Sequence, residues 1–66
     1  MIVGIAIYRT GKIYEGQFYN NEKSGHGVEL YQNGNVYVGD FSQNKKHGKG
    51  SFFWFNMSPE NNSKEV

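Results

Sequence analysis

The chain predicts an all-β fold of about five antiparallel strands, and three observations point there. Five Tyr, five Phe and one Trp stand beside nine glycines and a single proline in 66 residues, a composition of strands and turns rather than of helices. The second observation is a repeat, and the third is that within each unit of it apolar and polar residues alternate with period two, as a half-exposed strand requires. A shift of 23 residues lays Tyr14, Gly16, Phe18, Asn21, Lys23, Gly25, Gly27 and Asn33 on Tyr37, Gly39, Phe41, Asn44, Lys46, Gly48, Gly50 and Asn56. The same shift carries Gly4, Tyr8 and Gly11 onto Gly27, Tyr31 and Gly34. A repeat of this length is one supersecondary unit that cannot bury its apolar surface alone and stacks on its neighbour.

The first strand is expected near residues 3–9, and from Ile2 to Tyr8 it carries no charge and no proline. Thr10-Gly11 returns the chain into a second strand, 12–19, pairing Ile7 with Tyr14, Ile5 with Gly16 and Val3 with Phe18. A polar loop holding Lys23 leads to the third strand, 26–32. Asn33-Gly34 is the favoured pair for a two-residue type I′ turn, because both central residues need positive φ. Closing there sets Tyr31 opposite Val36, Leu30 opposite Tyr37, Val28 opposite Gly39 and His26 opposite Phe41 along a fourth strand, 35–42. An equivalent loop with Lys45, Lys46 and His47 precedes the fifth strand, 49–55, with Lys49 nearby.

In this register one face gathers Ile5, Ile7, Tyr14, Phe18, Val28, Leu30, Tyr37 and Phe41, since residues opposite one another share a side of the sheet. Ser51 and Phe53 would join them, leaving Phe52 and Trp54 with Glu29, Tyr31, Val36, Val38 and Asp40 on the other side. Gly16 and Gly39 would make room for the branched residue opposite each. The repeat organises residues 1–56 as a partial unit (4–13), a unit (14–36) and an incomplete unit (37–56). Residues 57–66 are polar, hold the only proline and read as a disordered tail, having little apolar surface to offset ordering entropy.

Composition excludes several functions. Seven basic against six acidic residues give a net charge of +1, far from the basic field of a nucleic-acid binder. No cysteine is present, so neither a disulfide nor a thiol nucleophile is expected. The longest apolar run, Met1 to Tyr8, falls well short of the ~20 residues that span a bilayer and lacks the basic flank of a secretory signal, and the expectation is an intracellular chain. Gly48-Lys49-Gly50-Ser51 lacks the spacing of a phosphate loop, and His26 and His47 fall on different phases of the repeat. No catalytic, metal or cofactor site is therefore expected.

Tyr14-Glu15-Gly16-Gln17-Phe18 followed by Gly25-His26-Gly27, and Tyr37-Val38-Gly39-Asp40-Phe41 followed by Gly48-Lys49-Gly50, resemble the MORN (membrane occupation and recognition nexus) repeat, a unit of about 23 residues with a Tyr-x-Gly-x-aromatic opening and a later Gly-x-Gly. The resemblance spans roughly residues 4–56 and departs from the pattern at Met57-Ser58-Pro59. It implies an elongated single-layer antiparallel meander of stacked hairpins. It also implies a non-catalytic module for protein association and scaffolding in cytoskeletal and ciliary assemblies and for membrane-proximal attachment, and the location expected is cytoplasmic or cytoskeleton- or cilium-associated.

The aromatics Tyr14, Phe18, Tyr37 and Phe41, with Ile5, Ile7, Phe53 and Trp54 toward the sheet ends, are the expected contact for a protein partner or a second copy. Two further readings stand beside this one. Lys23, Lys45, Lys46 and Lys49 would offer a basic edge to anionic lipid, a weak attachment at about 1 kcal/mol per residue without an apolar anchor. Alternatively, the chain is a regulatory piece of a larger enzyme. Because about three units are usually needed before a repeat array is stable, and an edge strand without charge, proline or bulge invites pairing, the module is expected not to stand alone.

Overall fold

The computed structural model describes residues 1–55, and the expected tail at 57–66 lies outside the described residues. These form one five-stranded antiparallel sheet in chain order. Its strands are β1 (Ile2–Ile7), β2 (Ile13–Tyr19), β3 (Glu22–Leu30), β4 (Val36–Ser42) and β5 (Lys45–Phe53). β1 and β5 are its two open edges. The all-β class, the five strands and the meander are as the sequence predicts, but the turns between them are exchanged.

Asn33-Gly34 does not make a two-residue turn. The Gly34 N–H donates to the Tyr31 carbonyl and the Tyr31 N–H to the Asn35 carbonyl, both at 2.9 Å, which closes a three-residue loop in which only Gly34, at φ 96°, is left-handed. This is a type I turn followed by a glycine bulge, the next commonest hairpin closure. Tyr8, Gly11 and Lys12 repeat it one unit earlier. The two-residue turns lie where polar loops were expected. Asn20-Asn21 and Gln43-Asn44 all have positive φ, and Tyr19 pairs with Glu22 and Ser42 with Lys45 directly across them.

The added loop residue slides β1 against β2 and β3 against β4 by one position, and a one-residue slip changes which side chains share a face. Glu29, not Leu30, stands opposite Tyr37, and Ala6, not Ile7, opposite Tyr14. Phe52 stands opposite Tyr37 and Phe53 opposite Val36, reversing the expected faces of the last strand. Gly16 and Gly39 meet no branched residue. Gly4, Gly16, Gly27, Gly39 and Gly50 are paired consecutively instead, a row of glycines across all five strands.

That row makes the core possible in a single layer. The Tyr14 ring lies down over Gly27 and the Tyr37 ring over Gly50, where any Cβ would run into the ring. Lying flat, the Tyr14 hydroxyl donates to the Gln17 carbonyl at 2.8 Å and the Tyr37 hydroxyl to the Asp40 carbonyl at 3.2 Å. Phe41 stands edge-on between the two tyrosines, with ring centroids 5.1 Å from Tyr14 and 5.3 Å from Tyr37, and Phe18 stands edge-on against Tyr14 at 5.1 Å, the geometry that aromatic quadrupoles favour. Tyr14, Tyr37 and Phe41 are the buried hydrophobic core.

Each long strand also bulges. The register shifts between Gly16 and Phe18, and again between Gly39 and Phe41. At these points Gln17 faces Ser24-Gly25-His26 and Asp40 faces His47-Gly48-Lys49. The side chain of the short strand closes the gap: Gln17 Oε1 accepts the His26 N–H at 2.7 Å, and Asp40 Oδ2 the Lys49 N–H at 3.4 Å. Beyond the bulges, Asn44 clasps the preceding hairpin. Its N–H donates to the Lys23 carbonyl at 3.0 Å, and its Oδ1 accepts the Lys23 N–H at 2.9 Å.

Candidate functional site

The face that carries the tyrosines is closed by the chain itself. Tyr14, expected to be a partner contact, is fully buried, and Tyr37 and Phe41 are buried beside it. Only Phe18 of that expected set is left half-exposed. The correction has a simple cause: rings lying on glycines cover one another and need no second layer.

Glu29 completes this face, and sequence reasoning missed it because the slipped register put it on the other side. It is 1% exposed. Its Oε2 takes the Lys23 ammonium at 2.8 Å and Lys12 at 3.5 Å, and its Oε1 takes the Tyr31 hydroxyl at 2.6 Å and Lys46 at 3.4 Å. Burial alone would raise the Glu29 pKa. The Lys23 and Tyr31 hydrogen bonds, with the charges of Lys23 and Lys12, outweigh it and hold the carboxyl down to about 2. Burial likewise acts against the Lys23 charge, yet the bond to Glu29 leaves its pKa raised. Lys23 is 5% exposed, with its ammonium 5.5 Å from the Tyr14 ring centroid and 5.6 Å from that of Phe41. It is a core lysine within β3 and no part of a lipid-facing loop. Lys46 is exposed but ion-paired with Glu29, so of the four lysines expected to meet lipid only Lys45 and Lys49 stand clear of that cluster on β5.

The opposite face is open. One apolar row crosses all five strands there, as Ile7, Ile13, Leu30, Val36 and Phe53 pair in sequence. Ile5, Val28 and Val38 stand in the next row. Ile7 is 78% exposed, and Ile5, Leu30, Val38 and Phe53 are exposed as well. Between this second row and His26 runs a shallow groove of about 420 Å³, floored by the backbone of Gly16, Gly27 and Gly39 and lined by Glu15, Val28 and Val38. His26 Nδ1 stands 2.7 Å from Asp40 Oδ1 at its rim. Of the expected contact residues, Ile5, Ile7 and Phe53 belong here. Trp54 follows β5 and meets Phe52 edge-on, with ring centroids 4.7 Å apart. Ile13, Leu30, Val36 and Val38 were not singled out from sequence. Their alternation with the tyrosines is visible in it, but their shared face depends on the register.

Apolar surface gathered into one continuous patch is the usual mark of an interaction site, and β1 adds an edge without charge, proline or bulge. Among the described residues no group of three His, Asp or Glu side chains comes together to hold a metal, and no helix is long and apolar enough to cross a membrane. The family model for the MORN repeat matches residues 14–36 and 37–56, well over half of the chain. No curated protein and no solved structure matches.

Proposed function

The chain belongs to the MORN repeat family, a family of non-catalytic repeats used in protein and membrane interaction, and we propose that it is a protein-association module acting as a small connector in a larger assembly. The observation that carries this is the open aliphatic row from Ile7 to Phe53, on a sheet whose other face is satisfied internally. Nothing among the described residues covers that row; a partner protein or a second copy removes water from it, and apolar burial at about 25 cal/mol per Å² drives the association. The uncharged edge of β1 lets the partner continue the sheet. An assembly of the cytoskeletal or ciliary kind is the setting that the family resemblance implies.

The test is to express residues 1–66 alone and measure molar mass by sedimentation at micromolar concentration, together with the cooperativity of thermal unfolding. Dimerisation or aggregation is expected, relieved when Leu30→Glu and Val38→Glu are introduced together on the open face. A monodisperse, cooperatively melting monomer overturns the reading.

A further inference from the structure

The charges of the described residues are sorted by face. Glu29 is the one carboxylate in register with the tyrosines, among Lys12, Lys23 and Lys46, while Glu15, Glu22 and Asp40 fall in register on the aliphatic side. Three ammonium groups around a single carboxylate leave an excess of positive charge that nothing else among the described residues balances. Lys23 is spent on Glu29 and buried. Lys12 and Lys46 are held more loosely, at 3.5 and 3.4 Å, and their side chains remain 28% and 46% exposed.

The repeat explains the surplus. Lys46 is the counterpart of Lys23 in the following unit, and six residues after Lys23 comes Glu29, whereas six residues after Lys46 comes Phe52. The second unit has the lysine without the acid, so Lys46 leans back across the sheet onto the acid of the first. Aromatic surface borders it: Phe52 lies 5.8 Å from Tyr31, and Trp54 beside it is 75% exposed.

We propose that Lys12 and Lys46 form a docking site for an acidic peptide segment of a partner protein. An Asp or Glu side chain enters between the two ammonium groups and supplies the carboxylate that the second unit lacks, while an apolar neighbour rests on Phe52 and Trp54. Charge-assisted hydrogen bonds from two cations to one carboxylate give such a contact both strength and register. A peptide carboxylate fits better than a lipid headgroup, because both cations lean back onto the sheet, Lys12 over the Tyr8 ring at 4.6 Å and Lys46 over the Tyr31 ring at 5.4 Å, each tied to Glu29. A membrane surface instead recruits basic residues that project from a rim. The site lies on the opposite side of the sheet from the aliphatic row, and its occupancy is independent of association through that row.

The experiment titrates the full chain calorimetrically, at low salt, with a capped peptide of alternating Glu and Leu, with the same peptide carrying Gln for Glu, and with phosphatidylcholine vesicles containing phosphatidylserine. The Glu peptide is expected to bind at least tenfold more tightly than the Gln peptide. Combining Lys12→Gln with Lys46→Gln should weaken it at least tenfold, Lys46→Arg should retain it, and Lys45→Gln with Lys49→Gln should leave it unchanged. Lys46→Gln alone, at an exposed position, serves if the double variant melts. No binding of the Glu peptide up to millimolar concentration, equal binding of the two peptides, or affinity unmoved by the Lys12 and Lys46 changes overturns the proposal. Binding to the vesicles in place of the peptide overturns it in favour of lipid phosphate.

Discussion

The two faces of the sheet are built from alternate residues of the same five strands and end in opposite conditions. On one side, tyrosines lie over glycines, phenylalanines stand edge-on against them, and Glu29 gathers three lysines and a hydroxyl. Every polar atom sunk in that face finds a partner among the described residues. On the other side, branched aliphatics and Phe53 stand in a row with nothing above them among the described residues. What separates the two is reach. A tyrosine is long enough to lie down across a neighbouring strand and cover it when that strand offers a glycine, whereas a valine or isoleucine is stiff at χ1 and covers only itself. A single layer can bury one of its faces by this device, but the aliphatic face must borrow its cover from beyond the five strands.

The comparison is broken most severely at its charged centre. Replacing Glu29 with Ala leaves Lys23 buried without its carboxylate and should cost about 3–5 kcal/mol, enough to unfold a chain of this size; loss of the sheet signal in circular dichroism is the readout. Acid asks the same question reversibly. Its neighbours hold the Glu29 carboxyl down to about 2 in the fold, below its ordinary value of 4.5. Its stabilisation is therefore complete above pH 4.5 and lost progressively as pH falls toward 2. The difference corresponds to about 3 kcal/mol, and a melting temperature that does not drop across that window would contradict the cluster.

Gly27→Ala is the next step down. The added methyl meets the Tyr14 ring and should destabilise by about 1–3 kcal/mol through overpacking, measured as a lower urea midpoint with an unchanged slope. The smallest effect is expected across the sheet. Leu30→Ser, on the open face, should change the folding stability of the isolated chain by no more than about 0.5 kcal/mol while weakening its self-association in sedimentation. A large loss of folding stability there would mean that the aliphatic row is already part of a core.

Much of this was legible in the sequence, and the part that was not has one physical origin. The 23-residue repeat, the strands and the common face of Tyr14, Phe18, Tyr37 and Phe41 follow from spacing alone, because alternation within a strand is fixed by the backbone. Which residues of the next strand join that face depends on the number of residues in the turn. Asn33-Gly34 suits a two-residue turn, but it also suits a three-residue loop that asks positive φ of Gly34 only. The choice is made by the packing it permits: the three-residue closure brings Gly27 beside Gly39 and Glu29 beside Tyr37, so that rings can lie down and Lys23 can meet its acid. Asn20-Asn21 and Gln43-Asn44 lack glycine and read as loop, yet asparagine tolerates the left-handed region better than most residues. With the register one position out, Glu29 and the row from Ile13 to Val36 could not be placed.

The clasp between Asn44 and Lys23 has a direction. The turn of the later hairpin supplies the asparagine, and the strand of the earlier hairpin supplies the backbone that it grips. Under the 23-residue shift the gripping residue is Asn21 or Asn44, and the gripped one Lys23 or Lys46. A row of such hairpins is therefore vectorial, like overlapping roof tiles, with each unit latched onto the one before it. Its two ends are chemically unlike: one presents asparagine side chains with nothing behind them to hold, the other a stretch of main chain waiting to be held. Two arrays can abut head to tail and keep the latch, whereas joining like ends must dispense with it and rely on side chains alone.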